Sequence, residues 1–296
     1  MKRILLASAA LLLAANAFAA EPEHVKTVEA WRAKVEKSLR ADNGWLTLAG
    51  RYVMKPGPNT FGTGEKNDIV FPAGLGPARM GVIDVAPGAV IVKLEPGVVM
   101  KKDGMEYSER RMSTASEARD WVSMGDRVAF HVIEREGRYI LRLADNQSTV
   151  RSGFQGRVWY PVNDAYYVDA KFVPYPPGRK VPIVNVLDEI SDEPSPGYVE
   201  FKVGGKVQKL DVVGDDEGLF IIFRDDTAGK STYKPGRFLY VEKKPQPNAK
   251  FKLDLNRAYN PPCAFSDYTT CPLPPDQNIL KVKVEAGEKY PPKRAG

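Results

Sequence analysis

The sequence predicts a mainly β protein with one long N-terminal helix, and three observations carry that prediction. From Trp45 onward the chain breaks into short runs rich in Val, Ile, Phe and Tyr, cut by Gly, Pro and Asp, as in antiparallel strands joined by turns. Some of these runs meet at two-residue turn signals. Val128, Phe130 and Val132, alternating with Ala129, His131 and Ile133, are joined through Glu136-Gly137 to Tyr139, Leu141 and Leu143. Gly204-Gly205 likewise joins Tyr198-Val199-Glu200-Phe201 to the run from Val207 to Val213. Between Pro22 and Gly44, by contrast, Val25, Val28, Trp31, Val35 and Leu39 recur every three or four residues, which gives one apolar stripe on a helix that braces a sheet.

The first residues speak to compartment. Lys2 and Arg3 precede an apolar run from Ile4 to Ala15, and Ala17-Phe18-Ala19 reads as a cleavage signal ahead of Ala20. The run is too short to span a bilayer, so a cleaved secretory signal over residues 1–19 is expected, with a periplasmic or secreted product and no membrane insertion. Without Lys2 and Arg3 the formal charge of +6 falls by two, and the remaining charges are mixed in sign along the chain, which is no footprint for nucleic acid. Both cysteines, Cys263 and Cys271, lie in the exported part, where an oxidising space favours a disulfide between them. Two cysteines, with His24 and His131 far away in sequence, are a poor ligand set for zinc; no metal or cofactor is expected.

Composition shifts divide the remainder into a helical segment (20–44), a first β-sandwich (45–115), a second antiparallel β domain, sandwich or barrel (116–289), and a disordered tail (290–296). The proline-rich stretches Pro174–Pro177 and Glu193–Pro196 read as rigid connections. In the first β region, Gly57-Pro58-Asn59-Thr60-Phe61-Gly62-Thr63, Asn67-Asp68-Ile69-Val70-Phe71, the run from Pro77 to Ile83, and Asp103-Gly104-Met105 resemble the forkhead-associated domain. That resemblance implies a β-sandwich and, in the family, phosphothreonine binding. Here the positions of the phosphate-binding Arg and Ser are Thr63 and Pro77, and that of the structural His is Met80. Without a guanidinium fork or a hydroxyl donor a phosphate dianion lacks its strong charge-assisted bonds, so the family's activity is expected to be lost.

In the second β region polar groups adjoin hydrophobic strands at Arg224–Thr227, Thr232–Arg237 and Asp254–Asn260. A period of two over 251–256 would set Phe251, Leu253 and Leu255 on one face and turn Asp254 and Asn256 together to the other. Asp225, Tyr233, Arg237, Asp254, Asn256, Arg257 and Asn260 are therefore candidate ligand-binding residues, an Arg fork orienting an acidic or amide group between tyrosine walls. The same residues also suit a structural network tying strand ends. Gly229-Lys230-Ser231-Thr232 lacks the first glycine of a phosphate-binding loop, and Pro235-Gly236 forbid the helix that should follow.

The segment from Leu255 to Phe265, closed by Cys271-Pro272-Leu273-Pro274-Pro275, carries a second resemblance. Together with Gly44–Gly50, Ser195–Phe201, Thr232-Tyr233 and Gly236–Leu239, it resembles a widespread prokaryotic domain-of-unknown-function family over about Trp31 to Lys289. That resemblance implies an arrangement of domains and no activity. The function expected from the residues is binding of a small polar ligand by the second β domain. Alternatives are a hydrolase using Asp225 and Asp254 with Arg237 and Tyr233 stabilising charge, or an interaction module of the cell envelope. Geometry separates these: groups converging on an open concavity support a site, whereas groups paired beneath the surface are structural.

Overall fold

A computed structural model of the protein describes residues 20–290 except 116, 117, 119 and 216; the expected signal peptide and residues 291–296 of the tail lie outside the described residues. Helix α1 (Pro22–Leu39) begins on a proline, whose missing N–H would have had no helical partner there. Val28 and Leu39 of the expected stripe are buried. No described helix is long and apolar enough to cross a membrane. The chain is mainly β and divides into two compact units.

The first unit comprises Glu36–Gly156 and Phe265–Thr269. Its strands are β1 (Leu48–Val53), β2 (Gly57–Gly62), β3 (Ile69–Val70), β4 (Gly81–Ala86), β5 (Ala89–Leu94), β6 (Met100–Lys102), β7 (Met105–Tyr107), β8 (Glu109–Met112), β9 (Val122–Met124), β10 (Val128–Arg135) and β11 (Arg138–Asp145). They form a six-stranded sheet, β1-β11-β10-β9-β6-β7, and a five-stranded sheet, β3-β2-β4-β5-β8. Phe61, Ile83 and Val92 from the smaller sheet and Phe130, Leu141 and Leu143 from the larger share one buried core. The alternation legible in β10 is what sends Val128, Phe130 and Val132 into it. Glu136 and Gly137 both have positive φ, 52° and 72°, the twist-matched two-residue turn, and they fix Arg135 opposite Arg138.

The expected boundary at 115/116 falls inside this unit. β11 pairs with β1 and β9 with β6, so residues 122–145 complete the first sandwich and do not open the second. The pairing of Leu48–Val53 with a strand some ninety positions later leaves no local periodicity to read.

The second unit contains, of the described residues, 20–35, Arg157–Ala264 and 270–290. Its strands are β12 (Val158–Trp159), β13 (Tyr167–Pro174), β14 (Lys180–Val184), β15 (Ile190–Pro194), β16 (Gly197–Val203), β17 (Lys206–Gly214), β18 (Leu219–Phe223), β19 (Arg237–Val241), β20 (Lys250–Asp254) and β21 (Glu288–Lys289). The main sheet is antiparallel in the order β19-β18-β17-β16-β13-β20, with β14–β15 and β12–β21 as separate pairs. Phe172, Val199, Leu210, Ile221, Phe223 and Leu239 form its core. The stretch Glu193–Pro196, expected as a connection, instead gives its first two residues to β15, where Pro194 opposes Lys180 at the end of a two-stranded ribbon. Proline is tolerated there because an edge position asks for no ladder N–H.

Cys263 and Cys271 are bonded, with Cα atoms 6.2 Å apart. The bond closes a loop eight residues long in sequence separation and should stabilise by roughly 2–3 kcal/mol through the unfolded chain. Replacing both by Ser is expected to lower the urea midpoint accordingly, while a reductant added to the parent protein should reproduce the loss. Equal midpoints for parent and double variant would refute this.

Candidate functional site

The polar groups singled out in the second unit sort into an interior network. Asp225 and Arg237 form a pair whose side chains are each 1% exposed, with Nη2 of Arg237 3.1 Å from Oδ1 of Asp225. Arg237 also donates to the backbone carbonyls of Val284 at 3.0 Å and of Ala286, and Asp225 accepts from the N–H of Val284 at 2.7 Å. Its remaining lone pairs are taken by the backbone N–H and hydroxyl of Thr227. The pair thus substitutes for a neighbouring strand along 284–288: Leu280 and Val282 bond to the backbone of Arg224 and Asp226, whereas beyond them Val284 and Ala286 are buried and only Glu288 and Lys289 enter a ladder. Tyr233 donates to the carbonyl of Cys263 at 3.1 Å and packs on Tyr290.

Asp254 and Asn256 do not point together to an open face. β20 ends at Asp254, a 3-10 turn follows over Leu255–Arg257, and Asn256 is wholly buried. The turn arises because Asp254 caps it, its Oδ1 accepting from the N–H of Asn256 at 3.0 Å. The Asn256 amide pairs with both backbone groups of Asn163, at 3.0 Å each. Asn260 donates from its backbone to Glu288 at 2.7 Å and from its side chain to the carbonyl of Lys289 at 3.0 Å. Glu288, which the sequence reading missed, is the hub here: it is 1% exposed and ion-paired to Arg157. Burial pushes its carboxyl up to about 7, against the pull of Arg157 and of the Asn260 N–H.

His24 joins Asp254 across the length of the chain. Its Nδ1 lies 2.5 Å from Asp164 and its Nε2 3.1 Å from Asp254, with Tyr167 stacked on the ring at 4.3 Å. Burial, the largest influence, lowers its pKa, but the bonds and charges of the two carboxylates outweigh it and the net direction is up. Arg257 completes the cluster, 3.5 Å from Asp254 and with its guanidinium 5.9 Å from the Trp31 ring centre. The seven candidates therefore do not converge on one cavity. They bind one another, the backbone and the start of α1. Among the described residues no group of three or more His, Cys, Asp or Glu side chains is arranged to hold a metal ion.

A real concavity lies in the first unit, on the face of the six-stranded sheet turned away from its core. It has a volume of about 350 Å³ and is lined by Ser38, Asn43, Gly44, Trp45, Leu48, Trp121, His131, Ile133, Arg135 and Arg142. Period two explains its floor: in β10 the residues alternating with the core set are Ala129, His131 and Ile133, and on β11 Arg142 stands directly opposite His131. Arg51 of β1 follows on the other side of Arg142, which gives three basic side chains in one row across three strands. The walls are indoles. Trp121 stacks on His131 at 4.1 Å and 29°, and the Arg142 guanidinium lies 5.5 Å from the Trp45 ring centre. The described lining contains two arginines and a histidine and no carboxylate. His131 is buried and borders this cavity.

Residues 152–289 match the family model described as Protein of unknown function (DUF1684). The match holds the Asp225–Arg237 pair, the Asp254–Asn260 segment, both cysteines and Glu288, and none of the described residues that line the cavity. Among solved structures, the chain is similar to an uncharacterized protein of Haloarcula marismortui determined by solution NMR, at 28% identity, covering 47% of this chain and 78% of that one, with a TM-score of 0.40. No curated protein matches. The polar network lies within the matched residues, and the cavity belongs to the other unit. Its signal in the sequence was the hairpin itself: a two-residue turn at Glu136-Gly137 sets His131 opposite Arg142.

Proposed function

We propose that this is an exported protein that binds a small polar ligand, and that the ligand sits in the first unit on the row of His131 and Arg142. The observation that carries the reading is the combination in one cavity of about 350 Å³ of cationic and hydrogen-bonding groups with two indole walls. Sites for small molecules have this size and this mixture of flat apolar surface with a few convergent polar groups. The residues first considered in the second unit are engaged within the fold, which also weakens a hydrolase reading: Asp225 and Asp254 both spend their oxygens on internal donors.

We read the first unit as a forkhead-associated-like sandwich that has given up phosphopeptide recognition. In support, Thr63 turns its hydroxyl to the carbonyl of Gly76, and Met80 is a buried core residue. Pro77 offers no donor.

The test is thermal stabilisation of the purified protein by a panel of small metabolites, repeated with Arg142→Gln and with a control in the second unit, Tyr233→Phe. A ligand that raises the midpoint of the parent and of Tyr233→Phe, and loses at least about tenfold in affinity with Arg142→Gln, is the expected result. Stabilisation untouched by Arg142→Gln but removed by Tyr233→Phe would return the site to the second unit.

A further inference from the structure

Resting on that reading, we infer that the ligand class is a neutral pyranose sugar, a C–H face of its ring laid on the indoles of Trp45 and Trp121 and its hydroxyls bonded to Asn43, Ser38 and Arg135. The walls argue for the ring. Of the described residues that line the cavity, these two indoles have the largest flat faces, and both are half-buried, so each keeps surface that the fold does not cover. His131 lies against one face of Trp121 at 4.1 Å and is itself buried, which sets the indole above the imidazole and leaves its other face outward. An indole face is negative, and the C–H bonds of a pyranose, polarised by the neighbouring oxygens, are drawn to it. An open-chain polyol has the same bonds but no preformed face, and must lose rotational freedom to make one.

The polar groups argue for hydroxyls. Oδ1 of Asn43 accepts from Asn146 at 3.2 Å, while its amide N–H groups have no acceptor among the described residues. Arg135 likewise has no hydrogen bond or ion pair among them. Ser38, exposed at the rim, adds a group that both donates and accepts. The three stand on different elements: Ser38 in the last turn of α1, Asn43 in the turn after it, and Arg135 at the end of β10. A hydroxyl donates one bond and can accept two, so hydroxyls spaced around one ring can reach such scattered groups without any charge on the ligand. The volume of about 350 Å³ is near the lower end for ligand sites, which suits a single sugar ring and not an extended chain.

Calorimetric titration with D-glucose, D-galactose, D-mannose, open-chain sorbitol and benzamide tests this. At least one of the pyranoses is expected to bind at least about tenfold more tightly than sorbitol. Trp121→Ala should remove at least about tenfold of that affinity. Trp121→Phe, which keeps a flat negative face and guards against loss of folding, should retain part of it. Asn43→Ala and Arg135→Gln should each weaken binding by about two- to tenfold, the effect of one hydrogen bond. Sorbitol binding as tightly as the pyranoses, with loss in Arg135→Gln, would overturn the ring and leave a polar ligand in the cavity. Benzamide binding more tightly than every pyranose, with loss in Trp121→Ala, would overturn the sugar and leave the cavity as a site for flat aromatics. Pyranose binding that none of these variants changes would overturn the placement. No heat from any pyranose would overturn the class, and a metabolite panel indifferent to Arg142→Gln would overturn the site as well.

Discussion

Arg237→Met is expected to cost roughly 3–5 kcal/mol of unfolding free energy, read from the urea midpoint, because it strands a buried carboxylate. Arg237 is held at 1% exposure between Asp225 and the carbonyls of Val284, Ala286 and, at 3.5 Å, Glu288. Methionine fills most of the volume, so the loss measures the bonds and not a cavity. Two kinds of damage add. Asp225 keeps its charge without its partner, and the carbonyls along 284–288 lose donors that neither water nor a neighbouring strand can replace. Arg237→Lys should recover little, since a single ammonium cannot span Asp225 and a row of carbonyls at once. In a double-mutant cycle, Asp225→Asn with Arg237→Met should cost less than the two single losses summed, because each change removes the other's stranded charge. Additive losses would mean that the two side chains act independently. Limited proteolysis offers a second readout: cleavage within 280–289 should precede global unfolding in Arg237→Met and not in the parent.

Glu288→Ala should be of similar size, roughly 3–5 kcal/mol, because it leaves Arg157 and the Asn260 N–H buried without their acceptor. The milder Glu288→Gln tests the titration. With its carboxyl raised to about 7, the folded protein holds a proton there that the unfolded chain, near the ordinary glutamate value, gives up at lower pH. The folded state therefore binds more protons through that window, and stability falls as pH rises. The contribution is complete below the unfolded value and is lost as the pH climbs through about 7. The parent is expected to be more stable at about pH 5 than at about pH 8, and Glu288→Gln to flatten that slope. His24, whose net shift is also upward, contributes in the same direction, so the slope that remains in Glu288→Gln belongs to it and to the other titrating groups. A slope unchanged by Glu288→Gln would place the titration elsewhere.

Much of the architecture was legible in the sequence. The 3.6-residue stripe of α1 and the alternation in β10 and β11 are local properties of the chain, and local sterics turn them into a helix and a hairpin. The turn at Glu136-Gly137 even sets the register that brings His131 opposite Arg142. The boundary between the β units was not legible, because β1 pairs with β11 some ninety positions later, across intervening strands that share the same core. The candidate residues of the second unit were correctly seen as unusual, but their meaning was not in the spacing. A period of two placed Asn256 beside Asp254 on an open face, and the Asp254 cap broke the strand one residue too early for that.

By itself, then, the sequence determined the β class, the long N-terminal helix, the tight hairpins and the cysteine pair, all of which depend on neighbours close along the chain. Only the tertiary structure decided whether a polar residue faces a ligand or the interior. Arg237 and Arg142 are the same residue type on similar strands. One is sealed against Asp225 and the carbonyls of 284–288, and the other borders a cavity beside Trp45. The difference lies in what packs above each strand, which is set by contacts between residues far apart in the chain and by the cost of leaving a buried charge or carbonyl without a partner.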